Sequence, residues 1–442
     1  MYKTHWSGAR RRALTAALTL SLVAACQPAA QETPALTPAS GKAAPRSART
    51  ATSNAAVLEW NAILLQAMKA HDGHKHSLAA ARALAVMHVA QHDAVNAVSP
   101  AYESYVFTGR DSAADANAAA AAAAHAVLSA TFPKQAASFD ERLARATKAL
   151  AEPGRSRGLE LGKRAAQALL EQRRNDGSDT PALGDYRPRG GPGAYQFVPP
   201  FDLAFAPGWR SLAPFALKTP AQFRPGPPPA LSSAEYAAAF EEVKTSGGAG
   251  SKARTPEQTA YAKYWWEFSE IGWNRITGVV ANDRKLDLAA TARLFALVNM
   301  ALSDAYVAGW DAKFHYDFWR PSTAIRAAES DGNALTTADP QWTAAELVPP
   351  VQDYPSTHSA LGDAAAEVLA SVLGDATAFT VGSSTAPPEM PLRSFPSFSA
   401  AADENADSRV RAGLHFRFSC REGQRLGRQI GRYAVDTRLR PL

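Results

Sequence analysis

The stretch LDLAATARLFALVNMALSDAYVAGW, residues 286–310, carries apolar side chains at Leu294, Phe295, Val298, Leu302 and Ala305. Steps of three and four residues put them on one stripe of an α-helix. Leu361 to Leu373 follows the same rule with Leu361, Ala365, Val368, Leu369 and Val372, and Gly374 is placed to end it. Upstream, Leu58 to Lys69, Leu78 to Val98, Ser138 to Leu150 and Gly158 to Arg174 also read as helices. Ala113 to Ala130 is nearly all alanine, the strongest helix former, with Asp111 or Ser112 to cap it and Phe132-Pro133 to stop it. Ser232 to Lys244 and Pro256 to Phe268 add two more, with Trp265 and Trp266 expected in the core. No long alternating pattern competes. The spacing predicts an all-α protein of one or two helix bundles sharing a core.

At 442 residues, 46% hydrophobic and 20% charged, the chain is too apolar for a disordered protein and long enough for a sizeable core. Two cysteines exclude a disulfide scaffold. The formal charge of +6 invites nucleic acid, but Lys3 and Arg10 to Arg12 supply four of those charges, and residues 1–25 hold no Asp or Glu. Loss of that segment leaves +2, and nucleic acid is not an expected partner.

That segment reads as an export signal: a basic start, then an apolar run from Ala13 to Ala25 too short to span a bilayer. Val23-Ala24-Ala25-Cys26 resembles a bacterial lipobox, which would make Cys26 the acylated N-terminus of a lipoprotein. An ordinary signal peptide cut nearby is the alternative, and the arginine run leaves twin-arginine export open. Gln27 after the cysteine resembles outer-membrane sorting, so the expected location is the bacterial periplasm, lipid-anchored to the outer membrane. Residues 26–55 read as a flexible tether rich in Pro, Ala, Ser and Thr. With Cys26 lipidated, Cys420 has no partner and is expected as a buried or semi-buried thiol.

The remaining chain divides into an N-terminal helical region, 56–230, and a C-terminal one, 231–442, expected to carry the chemistry. Residues 178–230 are rich in Pro and Gly and hold Trp209 and Pro227-Pro228-Pro229. A structureless stretch of that length is either functional or wraps a core.

Three segments of the last third stand out. In Lys313-Phe314-His315-Tyr316-Asp317-Phe318-Trp319-Arg320-Pro321, the two cations are seven residues apart, and one helix would put both on one face. Beside Trp310, Phe318 and Trp319 they suggest a partly apolar pocket holding positive charge. In Tyr354-Pro355-Ser356-Thr357-His358-Ser359, the start of a helix offers free N–H groups to an anion, Ser356 adds a hydroxyl, and His358 could move protons. In Ser408-Arg409-Val410-Arg411-Ala412-Gly413-Leu414-His415, Gly413 allows a break that lets a loop-borne Arg409 and a helix-borne His415 converge.

In that order the segments, Lys-x6-Arg-Pro, Pro-Ser-x-His and Ser-Arg-x5-His, resemble the vanadium-dependent haloperoxidase and type 2 phosphatidic acid phosphatase superfamily. Asp304-Ala305, Trp310-Asp311-Ala312-Lys313 and Phe318-Trp319-Arg320-Pro321 look like the haloperoxidase branch. So do Arg82 to Ala94, Gln222-Phe223-Arg224-Pro225 and Arg254-Thr255-Pro256-Glu257-Gln258, and the likeness covers about residues 56–440.

The resemblance implies two packed helical bundles with an oxyanion site in the C-terminal one. Lys313, Arg320 and Arg409 would bind the equatorial oxygens of vanadate, with Ser356 and the Thr357 amide as further donors. His415 would bind vanadium, or attack phosphorus in a phosphatase, and His358 would be the acid–base group. Trp310, Phe318, Trp319 and Val351 would line the pocket. Vanadate, hydrogen peroxide and a halide or small organic substrate are the implied cofactor and partners; phosphate takes vanadate's place if the protein is a phosphatase. Each cation at about 4 Å contributes on the order of 4 kcal/mol at an effective dielectric near 20, which explains the grouping.

Three positions depart from the superfamily's pattern: Thr357 replaces a glycine, Ser419 stands where an aspartate supports the histidine, and Val351 stands where an aromatic side chain or histidine lines the halide site. Elsewhere, His88 and His92 lie four apart beside Asp93, a spacing that can hold zinc but lacks the metalloprotease glutamate. Structural histidines are the expected reading, and His71, His74 and His76 read as a solvated polar loop.

Overall fold

The computed structural model describes residues 53–69 and 77–442, so the leader, Cys26, most of the tether and His71, His74 and His76 lie outside the described residues. Among the described residues are thirteen α-helices: α1 (Ala55–Lys69), α2 (Ser77–Val98), α3 (Ala116–Thr131), α4 (Ala136–Thr147), α5 (Gly154–Gln172), α6 (Ala234–Gly247), α7 (Pro256–Tyr264), α8 (Ser269–Asp283), α9 (Leu288–Tyr316), α10 (Pro321–Arg326), α11 (Thr357–Leu373), α12 (Phe398–Arg411) and α13 (Arg417–Thr437). The fold is helical, as the spacing predicted. One short antiparallel pair, β1 (Phe379–Gly382) and β2 (Leu392–Phe395), joins it. Four residues per strand give no readable alternation.

Helix α9 is the axis. It buries 22 of its 29 residues, and it packs against α2, α11 and α13. It is long and apolar enough to cross a membrane, yet protein covers it. Its start is fixed by Asp287, whose carboxylate accepts the Ala290 N–H at 2.8 Å. It runs six residues beyond Trp310, to Tyr316, and so carries Lys313 into the protein.

Small residues set two close helix contacts. The alanine run of α3 is capped by Asp115 rather than Asp111 or Ser112, because Asp115 accepts the Ala118 N–H at 2.8 Å. Its methyl-only surface lets Gly158 and Gly162 of α5 approach so closely that a Cβ on Gly162 would lie 2.2 Å from the Ala119 oxygen. On α13, Gly423, Gly427 and Gly431 repeat every four residues against the backbone of α11, where added Cβ atoms would meet the oxygens of Ser356, Ala360 and Ala364 at 2.2, 2.2 and 2.6 Å. That seam fixes the height of the α11 N-terminus against α13.

Residues 178–230 wrap the core. Asp304 accepts the N–H groups of Phe215, Ala216 and Leu217 at 2.6–2.9 Å, and Arg224 makes two 2.7 Å bonds to Asp311. Tyr195 N–H donates to the Asp317 oxygen, and Trp319 N–H to the Gly193 oxygen. The strap therefore holds the Trp310–Arg320 segment on both flanks. Asp93 of α2 plays the Asp304 part in the N-terminal half, accepting from Tyr105, Val106 and Phe107 at 2.7–2.8 Å.

Candidate oxyanion site

A cavity of about 390 Å³ gathers Lys313, Arg320, Arg409, Thr357, His358, His415, Val351 and Trp310 from segments up to a hundred residues apart. Lys313, in the last turn of α9, is 1% exposed, and its Nζ donates to the main-chain oxygens of Gln352 and Asp353 at 2.5 and 2.9 Å. Arg320 is equally buried; Nε donates to the Val351 oxygen at 2.6 Å and Nη1 to the Leu414 oxygen at 2.8 Å. Arg409 donates to the Trp265 oxygen at 3.1 Å and lies over the Trp266 ring, with its Nε unpartnered. Apart from His415 Nε2, which faces Arg320, every protein acceptor of these three cations is a main-chain oxygen. The one carboxylate on the cavity wall, Glu267, is taken by Arg275 and Ser384.

Buried positive charge without a counter-ion is costly, and its neutralisation is correspondingly favourable. Burial, then the neighbouring guanidinium, holds the Lys313 ammonium well below its ordinary range; burial holds the Arg409 guanidinium down at about 10. An anion entering the cavity would relieve both.

The two histidines occupy different walls. His358 is the second residue of α11; its Nδ1 lies 3.1 Å from the Ser269 hydroxyl, and Nε2 has no partner. His415 Nε2 lies 3.1 Å from Arg320 Nη1, and Nδ1 lies 2.9 Å from the Asp353 carboxylate. Burial, and next the cations Arg409 (His358) and Arg320 (His415), hold both imidazoles well below their usual pKa and so neutral. The N–H groups of Thr357 and His358 stand in the first turn of α11, where no helical residue accepts them. Vanadate or phosphate fits this donor set: three cations, helix-start amides and an unpaired Nε2 face one space, and the one carboxylate on the cavity wall, Glu267, is already paired.

Residues 293–441 match a family model described as VCPO second helical-bundle domain. A vanadium chloroperoxidase of Curvularia inaequalis is 32% identical over 197 residues, 36% of this chain and 32% of that protein, so the alignment spans about a third of that relative. The crystal structure of the first bacterial vanadium-dependent iodoperoxidase superposes with a TM-score of 0.75 at 25% identity, covering 90% of this chain and 99% of that one. An apo bacterial vanadium-dependent chloroperoxidase superposes at 0.70 with 20% identity, covering 87% and 97%. These likenesses support the resemblance of the chain to the vanadium-dependent haloperoxidase and type 2 phosphatidic acid phosphatase superfamily, with the family model matching its last third.

Several expected residues sit differently from their sequence reading. Phe318 and Trp319 do not line the cavity. They pack behind it in an aromatic cluster with Tyr354, Phe416 and Phe418. Ser356 is also off the wall, because its hydroxyl caps α11, accepting from the Ser359 N–H at 3.4 Å and the Ser359 hydroxyl at 3.0 Å. Lys313 and Arg320 do not share a helix. Asp317 takes a left-handed turn at φ 53°, held by Tyr186, Arg189 and Gln352, and Arg320 follows in extended backbone. Arg409 lies in the last turn of α12 and His415 in the following loop, the reverse of the expected placement. The break falls at Gly413, whose φ of 78° and 2.3 Å Cβ distance to the Gly247 oxygen suit glycine.

The structure adds wall residues that the sequence did not mark. Trp266, expected in the core, lines the cavity with Phe268, Ile271, Tyr306 and Pro349. Ser269 and Asp353, next to the two histidines, carry no motif. His88 bonds Asn61 and His92 bonds the Glu103 oxygen, so each is spent structurally; burial takes His88 down to about 3. Cys420 is buried, and its thiol is pushed up to about 12 by desolvation.

The Thr357 departure is accommodated by α9. Thr357 has ordinary helical backbone, and Gly309 makes room for it: a Cβ on Gly309 would lie 2.8 Å from Thr357 Oγ1 and 3.0 Å from Cγ2. A β-branched side chain cannot swing away cheaply. Gly309→Ala is therefore expected to cost about 1–3 kcal/mol. Thr357→Gly in the same chain should restore most of it, which a urea double-mutant cycle would read as coupling.

Glu270, behind Tyr306, gives a pH signature. The Tyr306 hydroxyl donates to its Oε2 at 2.9 Å, and burial raises the carboxyl from 4.5 to about 8. Between those values the folded protein keeps a proton that the unfolded chain has lost, so this contribution to stability falls as pH rises. Glu270→Gln should match wild type near pH 4.5 and exceed it by on the order of 5 kcal/mol above pH 8. Thermal denaturation across that range should show the gap widening with pH.

Proposed function

We propose that the protein is a vanadate-dependent peroxidase that uses hydrogen peroxide to oxidise a halide or a related small substrate. The observation that carries this reading is the convergence of three buried cations, none in a salt bridge with a carboxylate, with two neutral imidazoles on one cavity. The wall of Trp266, Phe268, Ile271, Tyr306, Trp310 and Val351 favours oxidation of a weakly hydrated species over hydrolysis of a phosphate ester. The likeness to a bacterial iodoperoxidase points the same way.

Bound vanadate would supply a Lewis acid that activates peroxide without changing its own oxidation state. The chain's own residues hold and tune the site. Lys313, Arg320 and Arg409 would neutralise the anion's oxygens, the first-turn amides of α11 would add donors, and His415 Nε2 would bind the central atom. His358, neutral with Nε2 free, would take a proton from the incoming peroxide and return it to the leaving oxygen. The apolar wall excludes water from the reacting face.

Reconstitution with orthovanadate should give peroxide-dependent oxidation of iodide or bromide, absent from the unloaded protein. The runner-up is an acid phosphatase with His415 as nucleophile, favoured by the unprotonated Nε2 that Arg320 faces. Phosphohistidine trapped at His415, with phosphate-ester turnover and no halide oxidation, would select that reading instead.

Export, acylation at Cys26 and an outer-membrane anchor in the periplasm are supported by the leader sequence. Labelling with a palmitate analogue, lost in Cys26→Ser, tests the anchor.

A further inference from the structure

We infer that Asp353 is a positioning residue that fixes the ring tautomer and orientation of His415. The inference rests on the proposed role of His415 Nε2 as the atom that bonds the oxyanion's central atom.

The argument starts from Arg320. Its Nη1 lies 3.1 Å from His415 Nε2, and a guanidinium has only N–H donors. Nε2 must therefore present its lone pair, and the proton of the neutral ring belongs on Nδ1. Nδ1 faces Asp353 Oδ1 at 2.9 Å, off the line of the ring N–H. Such pairs commonly tighten when the site fills and positive charge develops on the ring.

Asp353 is built to stay there. Its N–H donates to the Phe318 oxygen at 3.0 Å, and its own oxygen accepts from Lys313 Nζ at 2.9 Å and from Ser419 Oγ at 3.0 Å. The main chain is pinned on three sides, the residue has no exposed surface, and the Ser419 hydroxyl and Phe416 amide stand beside its carboxylate. Ser419, the position where an aspartate was expected, does not leave the histidine unsupported. It braces the main chain of a carboxylate that reaches the ring from the segment before α11.

Without that carboxylate the ring loses its Nδ1 acceptor, and the other tautomer would set its Nε2–H against Arg320. The expected loss of vanadate affinity in Asp353→Ala is about 10- to 100-fold, the usual cost of removing such a partner. Two readouts test it. Nitrogen NMR of the ligand-free wild type should show His415 protonated on Nδ1, and Asp353→Ala should show a mixture of tautomers. Titration with orthovanadate should show the affinity loss without any turnover assay. A wild-type ring protonated on Nε2 would overturn the inference, as would a folded Asp353→Ala with unchanged tautomer and affinity. The wild-type spectrum decides the matter even if the variant does not fold. Wild type with the Nδ1 proton and no affinity for vanadate would defeat the peroxidase reading and leave the His415–Asp353 assignment supported.

Discussion

Replacing Arg320 by lysine is expected to weaken binding of vanadate and phosphate by about 10²- to 10³-fold, while the protein remains folded. The charge survives the change; the fork does not. Nε and Nη1 of Arg320 hold the Val351 and Leu414 oxygens at 2.6 and 2.8 Å, and Nη1 also faces His415 Nε2. The guanidinium thus ties the wall before α11 to the loop before α13 and aims the imidazole. A lysine presents one compact ammonium and cannot span those carbonyls. One of them would be left buried and unpartnered, at about 1–3 kcal/mol. Calorimetric titration with phosphate and orthovanadate, with circular dichroism as the check on folding, reads both effects. Affinity within threefold of wild type would contradict the role given to Arg320.

Gly427→Val is expected to be the most damaging single change outside the cavity, costing more than about 4 kcal/mol. A Cβ at Gly427 would lie 2.2 Å from the Ala360 oxygen, 2.8 Å from the Ala364 nitrogen and 2.9 Å from the Asp363 Cβ. Two of those atoms are helix backbone, which has no rotamer to change. Either α11 moves as a body or the seam opens. Because α11 begins with Thr357 and His358, a survivor that folds should also bind the oxyanion less tightly. A urea midpoint close to that of wild type would rule out the glycine seam as the fixed reference between α11 and α13.

Legibility in the sequence followed the kind of side chain that each helix buries. Helix α9 was readable because Leu294, Phe295, Val298 and Leu302 are large, apolar and periodic. Helices α8 and α12 were not anticipated. α12 buries Ala401, Ala402, Asn405, Ser408 and Arg409, and α8 buries Glu270, Asn274 and Thr277 beside its apolar residues. Small and polar positions carry no stripe, since what makes them core is the partner they meet. The turn at Asp317 was missed for a related reason: its left-handed backbone is stabilised by Tyr186 and Arg189, 131 and 128 residues away.

By itself the sequence determined that the protein is helical, that its last third carries three cations and two histidines in superfamily order, and that Gly413 would break the chain between Arg409 and His415. These follow from local rules: period, motif order and the freedom of one glycine. Only the tertiary structure decided that Phe318 and Trp319 stand behind the wall, that Ser356 caps a helix, that Thr357 fits because Gly309 is bare, and that a carboxylate reaches His415 from Asp353. Those facts depend on distances between residues far apart in the chain, which are set by packing and by the burial of charge and have no counterpart in spacing along the sequence.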